Sequence, residues 1–212
     1  AHAAVPPPDS GWNLVWSDDF GGAPGAGLSA DWLYDTGTSH PGGAQNWGTG
    51  EVETMTSSTD NVYQDGASHL VIKALRDAAG NWTSGRVGTM RTDFQPPSGG
   101  VLRVQASIQL PKVGGAAAQG YWPAFWMLGA PFRGNYQNWP IVGEIDIMEN
   151  VNGSNTALGT LHCGTNPGGP CNETTGISAN TSCPGSGCSG EFHTYAIEWD
   201  RSASPETIRW AV

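Results

Sequence analysis

Three carboxylates, Glu144, Asp146 and Glu149, fall within the six residues Glu144-Ile145-Asp146-Ile147-Met148-Glu149, separated only by Ile and Met. On an extended chain Glu144 and Asp146 share one face, and Ile145 and Ile147 point to the other. Unbroken alternation would send Glu149 to the apolar face, where a charge is costly. One extra residue, a β-bulge at about Ile147-Met148, returns Glu149 to the face of the other two acids. Like charges this close raise one another's pKa, so one carboxyl can stay protonated as a general acid while another is ionised. The competing reading is an edge strand with a solvated polar face. A helix is disfavoured, because Pro140 and Gly143 stand just upstream and Ile145 and Ile147 suit a strand.

The elements that must position these acids are short strands. The 212 residues suffice for one sizeable all-β domain, and 31 Gly and 15 Pro point to frequent turns. We expect strands at Trp12 to Phe20, Trp47 to Met55 (after a turn), His69 to Leu75, from Ser84, Val101 to Leu110, Phe192 to Asp200 and Thr207 to Val212. Before the acid motif, Gly120-Tyr121-Trp122-Pro123-Ala124-Phe125-Trp126-Met127 alternates with period two. Trp122, Ala124 and Trp126 then share one face while Tyr121, Phe125 and Met127 oppose it, so one aromatic row packs and the other suits a concave surface. Val151 to Gly190 reads as irregular apart from a strand at Ala157 to His162. No repeat or linker appears. The expectation is a single domain over 1–212, a sandwich or jelly roll.

Only 13% of residues are charged and the formal net charge is −10, which argues against nucleic acid or anionic membrane as a partner. Ten Trp exceed the needs of a core this size and suit flat apolar ligand faces such as sugar rings. No apolar run is long enough to span a membrane. Residues 1–8 lack a charged n-region and an apolar core, and they read as the ragged start of a mature secreted chain.

Cys163, Cys171, Cys183 and Cys188 all lie in the Gly/Pro/Asn/Ser-rich stretch and allow three pairings. The sequential pairing, Cys163 with Cys171 and Cys183 with Cys188, is preferred because it closes two short loops. A zinc site is the rival reading, weakened by the absence of a Cys-x-x-Cys pair. Even cysteines favour an oxidising, extracellular setting.

Taken together, Val15-Trp16-Ser17-Asp18-Asp19-Phe20, Trp122 to Gly129, Gly143 to Asn150 and Phe192 to Trp199 resemble glycoside hydrolase family 16, and within it the laminarinases. The resemblance implies a β-jelly-roll sandwich of two antiparallel sheets, of the concanavalin A-like kind, with an open substrate cleft. It implies retaining hydrolysis of β-1,3-glucan, with Glu144 as nucleophile, Glu149 as acid/base and Asp146 hydrogen-bonded to the nucleophile. By the same resemblance Trp122 and Trp126 stack on sugar rings, and Arg86, His162 and Asn46 bind sugar hydroxyls. No cofactor is required for catalysis. Many relatives hold a structural calcium away from the cleft, whose ligands the sequence does not place. The protein is expected to be a secreted monomer acting on polysaccharide. Relatives also continue beyond the point matching Val212, so the C-terminal strands of the domain are expected to be missing from this sequence.

The residues alone do not decide stereochemistry. Four effective strand steps put the Cα atoms of Glu144 and Glu149 about 13 Å apart. Retention needs carboxyls about 5–5.5 Å apart and inversion about 6.5–9.5 Å. The alternatives are hydrolysis of mixed-linkage β-1,3-1,4-glucan and a non-catalytic β-glucan-binding protein.

Overall fold

Short apolar runs punctuated by Gly, Pro and Asn give short strands, and no α-helix forms among the described residues. The structure, a computed structural model, describes Val5, Pro7 and residues 9–212; the reading of residues 1–8 therefore falls mostly outside it. In chain order the first strands are β1 (Trp32–Asp35), β2 (Thr54–Met55), β3 (Val62–Gln64), β4 (Leu70–Ile72), β5 (Leu75–Arg76), β6 (Trp82–Ser84) and β7 (Arg86–Thr89). They are followed by β8 (Val101–Gln109), β9 (Ala124–Leu128), β10 (Glu144–Glu149), β11 (Thr156–His162), β12 (Ile177–Ser182), β13 (Phe192–Asp200) and β14 (Thr207–Ala211). Packing divides the chain into two units, residues 94–132 with 138–212, and residues 9–93 with 133–137.

The first unit is a sandwich. A four-stranded antiparallel sheet in the order β12-β11-β10-β9 packs on a three-stranded sheet in the order β14-β13-β8. Between them lie Ile145, Ile147 and Met148 from β10, Ala157 from β11, and Tyr195 and Ile197 from β13, with Val104, Ile108, Phe125 and Met127 around them. Full burial of a side chain such as Ile197 contributes about 1.5–3 kcal/mol. Trp210 of β14 donates its Nε1–H to the carbonyl of Asp146 at 2.8 Å. Position 159 is glycine because a Cβ there would sit 2.4 Å from Trp210 Cδ1. The disulfides are Cys163–Cys171, beside the end of β11, and Cys183–Cys188, which joins the core.

In the second unit β1 pairs with β7 and β3 with β4, both antiparallel, while β6 lies between β2 and β5. Buried polar side chains tie its loops together. Asn61 donates to the Lys73 carbonyl and to Thr83 Oγ1, and accepts from Thr56 Oγ1. Gln64 accepts from Gly22 N and donates to the Gly27 carbonyl.

Three expectations need correction. Residues 12–20 form no strand. Asp18 instead accepts from its neighbour Phe20 N and from Trp32 Nε1, so a side chain takes up backbone and indole donors that a ladder would have ordered differently. The run His69 to Leu75 splits into β4 and β5 at Lys73-Ala74, where Lys73 N donates to the Asn61 carbonyl. The region after Val151 holds a second strand, β12, exposed along its whole length.

Candidate active site

The register of β10 fixes the acids. Against β9, Glu144 pairs with Leu128, Asp146 with Trp126 and Glu149 with Ala124, so β10 advances five residues while β9 retreats four. Against β11 the same acids pair with His162, Thr160 and Leu158. The register shifts on both sides fall after Asp146, which places the bulge at Ile147-Met148. Glu144, Asp146 and Glu149 therefore share a face with Trp126 and His162, while Ile145, Ile147 and Met148 remain in the core.

Each glutamate accepts from its own indole. Trp139 Nε1–H donates to Glu144 Oε2 at 2.8 Å, and Trp122 Nε1–H donates to Glu149 Oε1 at 2.7 Å. Trp122 precedes β9 rather than lying in it, and is 45% exposed, so an indole face is available to a ligand. Trp126, across from Asp146, is half-buried.

Asp146 is buried between the two glutamates. Burial, then the charges of Glu144 and Glu149, a hydrogen bond with Glu144 and the charge of Glu173 push its pKa up to about 9. Asp146 is thus a neutral acid at neutral pH, and a neutral acid donates to the Glu144 carboxylate. Glu149 is also raised above the ordinary carboxylate range, chiefly by burial and also by Glu144; Trp122 and His162 pull in the other direction. A carboxyl with a raised pKa beside an exposed tryptophan is suited to donating a proton to a bound ligand.

His162 stands across from Glu144, with Nε2 3.4 Å from Asp146 Oδ2 and its ring 5.3 Å from that of Trp139. Its Nδ1 lies 2.8 Å from Glu173 Oε2. Trp139 and Glu173 were not singled out from the sequence as site residues. Trp139 belongs to an irregular Asn/Pro loop, and Glu173 is the middle residue of the sequon Asn172-Glu173-Thr174.

Arg86 and Asn46 belong to the second unit. Arg86 Nε is 3.5 Å from Asp35 Oδ2, and its guanidinium lies 4.6 Å from the centre of the Trp47 ring. His40 stacks on Tyr136 at 4.2 Å and meets Trp47 edge-on at 4.9 Å. Burial holds the His40 pKa below its usual value. Asn46 and Trp47 adopt φ of 49° and 56°, a backbone region costly for a residue as bulky as Trp.

Among the described residues, Glu144, Asp146 and His162 bring three side-chain ligand atoms within 4.8 Å of one another. With one imidazole nitrogen and a carboxyl that shares a proton with its neighbour, this set does not fit calcium, which takes six to eight oxygens.

A row of acids on one face of a β-sandwich, flanked by indoles, sets paired carboxyl chemistry beside apolar ring faces. Residues 110–194 match the family described as the XgeA-like, catalytic GH16 domain. An endo-1,3-β-glucanase structure from Streptomyces sioyaensis is 66% identical, covers 98% of this chain and 75% of its own, and superposes with a TM-score of 0.96. For the endo-β-1,3-glucanase of Pyrococcus furiosus the identity is 32%, the coverage 94% and 71%, and the TM-score 0.71. The glucan endo-1,3-β-glucosidase A1 of Niallia circulans is 31% identical over 97% of this chain, which spans 29% of that relative's length. The chain belongs to glycoside hydrolase family 16, and its fold is the β-jelly roll.

Proposed function

We propose that the protein is an endo-acting, retaining hydrolase of β-1,3-glucosidic bonds. The observation that carries this reading is the bulged β10, which sets an indole-bonded Glu144 and a raised-pKa Glu149 on one face with neutral Asp146 between them. Likeness to the Streptomyces sioyaensis endo-1,3-β-glucanase supports the linkage, and the family resemblance supports retention.

In the first step Glu149 donates its proton to the glycosidic oxygen, and Glu144 attacks the anomeric carbon on the opposite side. The C–O bond to the leaving sugar breaks and a glycosyl ester forms. In the second step Glu149, now a carboxylate, takes a proton from water, whose oxygen displaces Glu144. Asp146 donates to Glu144 while it carries charge and so steadies it as nucleophile and as leaving group. Trp122 and Trp126 supply stacking surface for sugar rings and His162 a polar contact; the family resemblance also assigns sugar contacts to Arg86 and Asn46. The reaction draws on these side chains and needs no metal or cofactor.

We further propose a polysaccharide substrate met outside the cell by a secreted monomer. The disulfides support this setting, and no helix among the described residues is long and apolar enough to cross a membrane. Parallel digests of laminarin and barley mixed-linkage glucan test the linkage. Oligosaccharides released rapidly from laminarin are expected. Release from barley glucan alone would replace the linkage assignment, and binding of laminarin without products would replace hydrolysis with a binding role.

A further inference from the structure

Behind the acids lies a buried carboxylate that the reaction as written does not use. The Glu173 side chain has no exposed surface. Its two oxygens are both engaged: Oε1 accepts the backbone N–H of Cys163 at 2.9 Å, and Oε2 faces His162 Nδ1 at 2.8 Å. With Glu173 as a carboxylate, Oε2 can only accept, and the contact then places the proton on Nδ1. The loop that delivers Glu173 is short and closed. Cys163 is bonded to Cys171, and Glu173 exchanges backbone hydrogen bonds with Gly168 at 2.6 and 2.8 Å. On another side of the ring, Gly176 leaves room that a side chain would take, since a Cβ there would lie 2.9 Å from His162 Cε1.

With Nδ1 anchored, the ring has one orientation. Nε2 faces Asp146 at 3.4 Å and the ring packs on Trp139, and both of these residues hydrogen-bond Glu144. Resting on the hydrolase reading above, we infer that Glu173, braced by the Cys163–Cys171 disulfide, is a positioning residue that acts through His162 to hold Asp146 and Trp139 against the nucleophile Glu144. Glu173 touches neither substrate nor reacting atom. Its removal therefore acts mainly on the chemical step, with a smaller effect on substrate affinity through the sugar contact of His162. A purely structural carboxylate would act on folding alone. Opening the disulfide releases the Cys163 N–H that fixes Glu173 and is expected to lower the same rate constant.

The experiment combines a spectrum with kinetics. In the wild-type protein, histidine nitrogen NMR is expected to show a proton held on His162 Nδ1; a ring protonated on Nε2 alone would overturn the proposal without any variant. Glu173→Gln keeps the volume but supplies one acceptor where two are needed. It is expected to lower kcat on laminarin about tenfold, the loss of roughly one charge-assisted hydrogen bond, with KM changed less than about twofold. The Cys163→Ser/Cys171→Ser protein is expected to lose kcat in the same sense, with Glu173→Asp falling between Gln and wild type. An unchanged kcat in a Glu173→Gln protein with wild-type thermal stability would overturn the inference. So would a loss confined to KM. A wild-type protein with the anchored ring but no hydrolysis of any glucan would instead sink the hydrolase reading, and the positioning role of Glu173 with it.

Discussion

Trp139 donates its indole proton to Glu144 Oε2 at 2.8 Å, so the proposed nucleophile is fixed on one side by a neutral donor that cannot titrate. With Asp146 also donating to it, Glu144 is steadied as a carboxylate while it waits for the sugar. Trp139→Phe keeps the ring against His162 and removes only the N–H. Steady-state kinetics on laminarin should show kcat reduced about tenfold, with thermal stability little changed. An unaltered kcat would mean that Asp146 alone positions Glu144.

Glu149→Ala removes the proton donor but not the nucleophile. Aryl β-glucosides whose leaving group departs without protonation should still form the glycosyl ester, whereas laminarin should be hydrolysed at least about a hundredfold more slowly. The comparison of the two substrates is the readout. Equal losses on both would contradict an acid role for Glu149.

Trp122 serves Glu149 in two separable ways. Its N–H stabilises the ionised carboxylate, so its loss lets the Glu149 pKa rise further. Trp122→Phe should therefore move the alkaline limb of the kcat/KM profile to higher pH, because the acid stays protonated longer. Trp122→Ala also removes the exposed ring face and should weaken oligosaccharide binding in calorimetry. Affinity equal to wild type in Trp122→Ala would assign the indole to Glu149 alone.

Asp146 links the site to stability. Its pKa is near its ordinary value in the unfolded chain and about 9 in the folded protein, so between about pH 4 and 9 the folded state holds the extra proton. Stability from this residue is therefore greatest below the unfolded value and declines as pH rises through the interval. Asp146→Asn cannot ionise and keeps a donor for Glu144. Thermal melts should show the variant gaining on wild type as pH rises from 4 to 9, with the gap smallest at the acid end. A gap independent of pH would show that Asp146 is not protonated in the folded state.

The parts of the site written in the sequence are those governed by alternation. The bulge follows from three acids that cannot all face one way in a regular strand, and it is present at Ile147-Met148. Sequential pairing of four closely spaced cysteines is likewise the pairing present. Trp139 and Glu173 were not legible, because each lies in a loop without periodicity and acquires its partner only when the chain folds. Glu173 gains its meaning from β11, which ends at His162 beside it. Strand β12, Ile177–Ser182, was missed because all six of its residues are exposed, leaving no buried face to imprint a pattern. The opposite error at residues 12–20 has a local cause. The run reads as a strand ending in acidic turn residues, but Asp18 captures Phe20 N and the Trp32 indole.

The most direct test is to trap the intermediate. An activated 2-deoxy-2-fluoro glycoside of a β-1,3-linked disaccharide should form the first ester and release its leaving group, while the second step is slowed. Mass spectrometry of the proteolysed protein should then place one fluoroglycosyl group on the peptide containing Glu144, attached through that side chain, and Glu144→Gln should take up none. A label on Glu149 or Asp146, or turnover of the natural glucan by Glu144→Gln at the wild-type rate, would contradict the assignment.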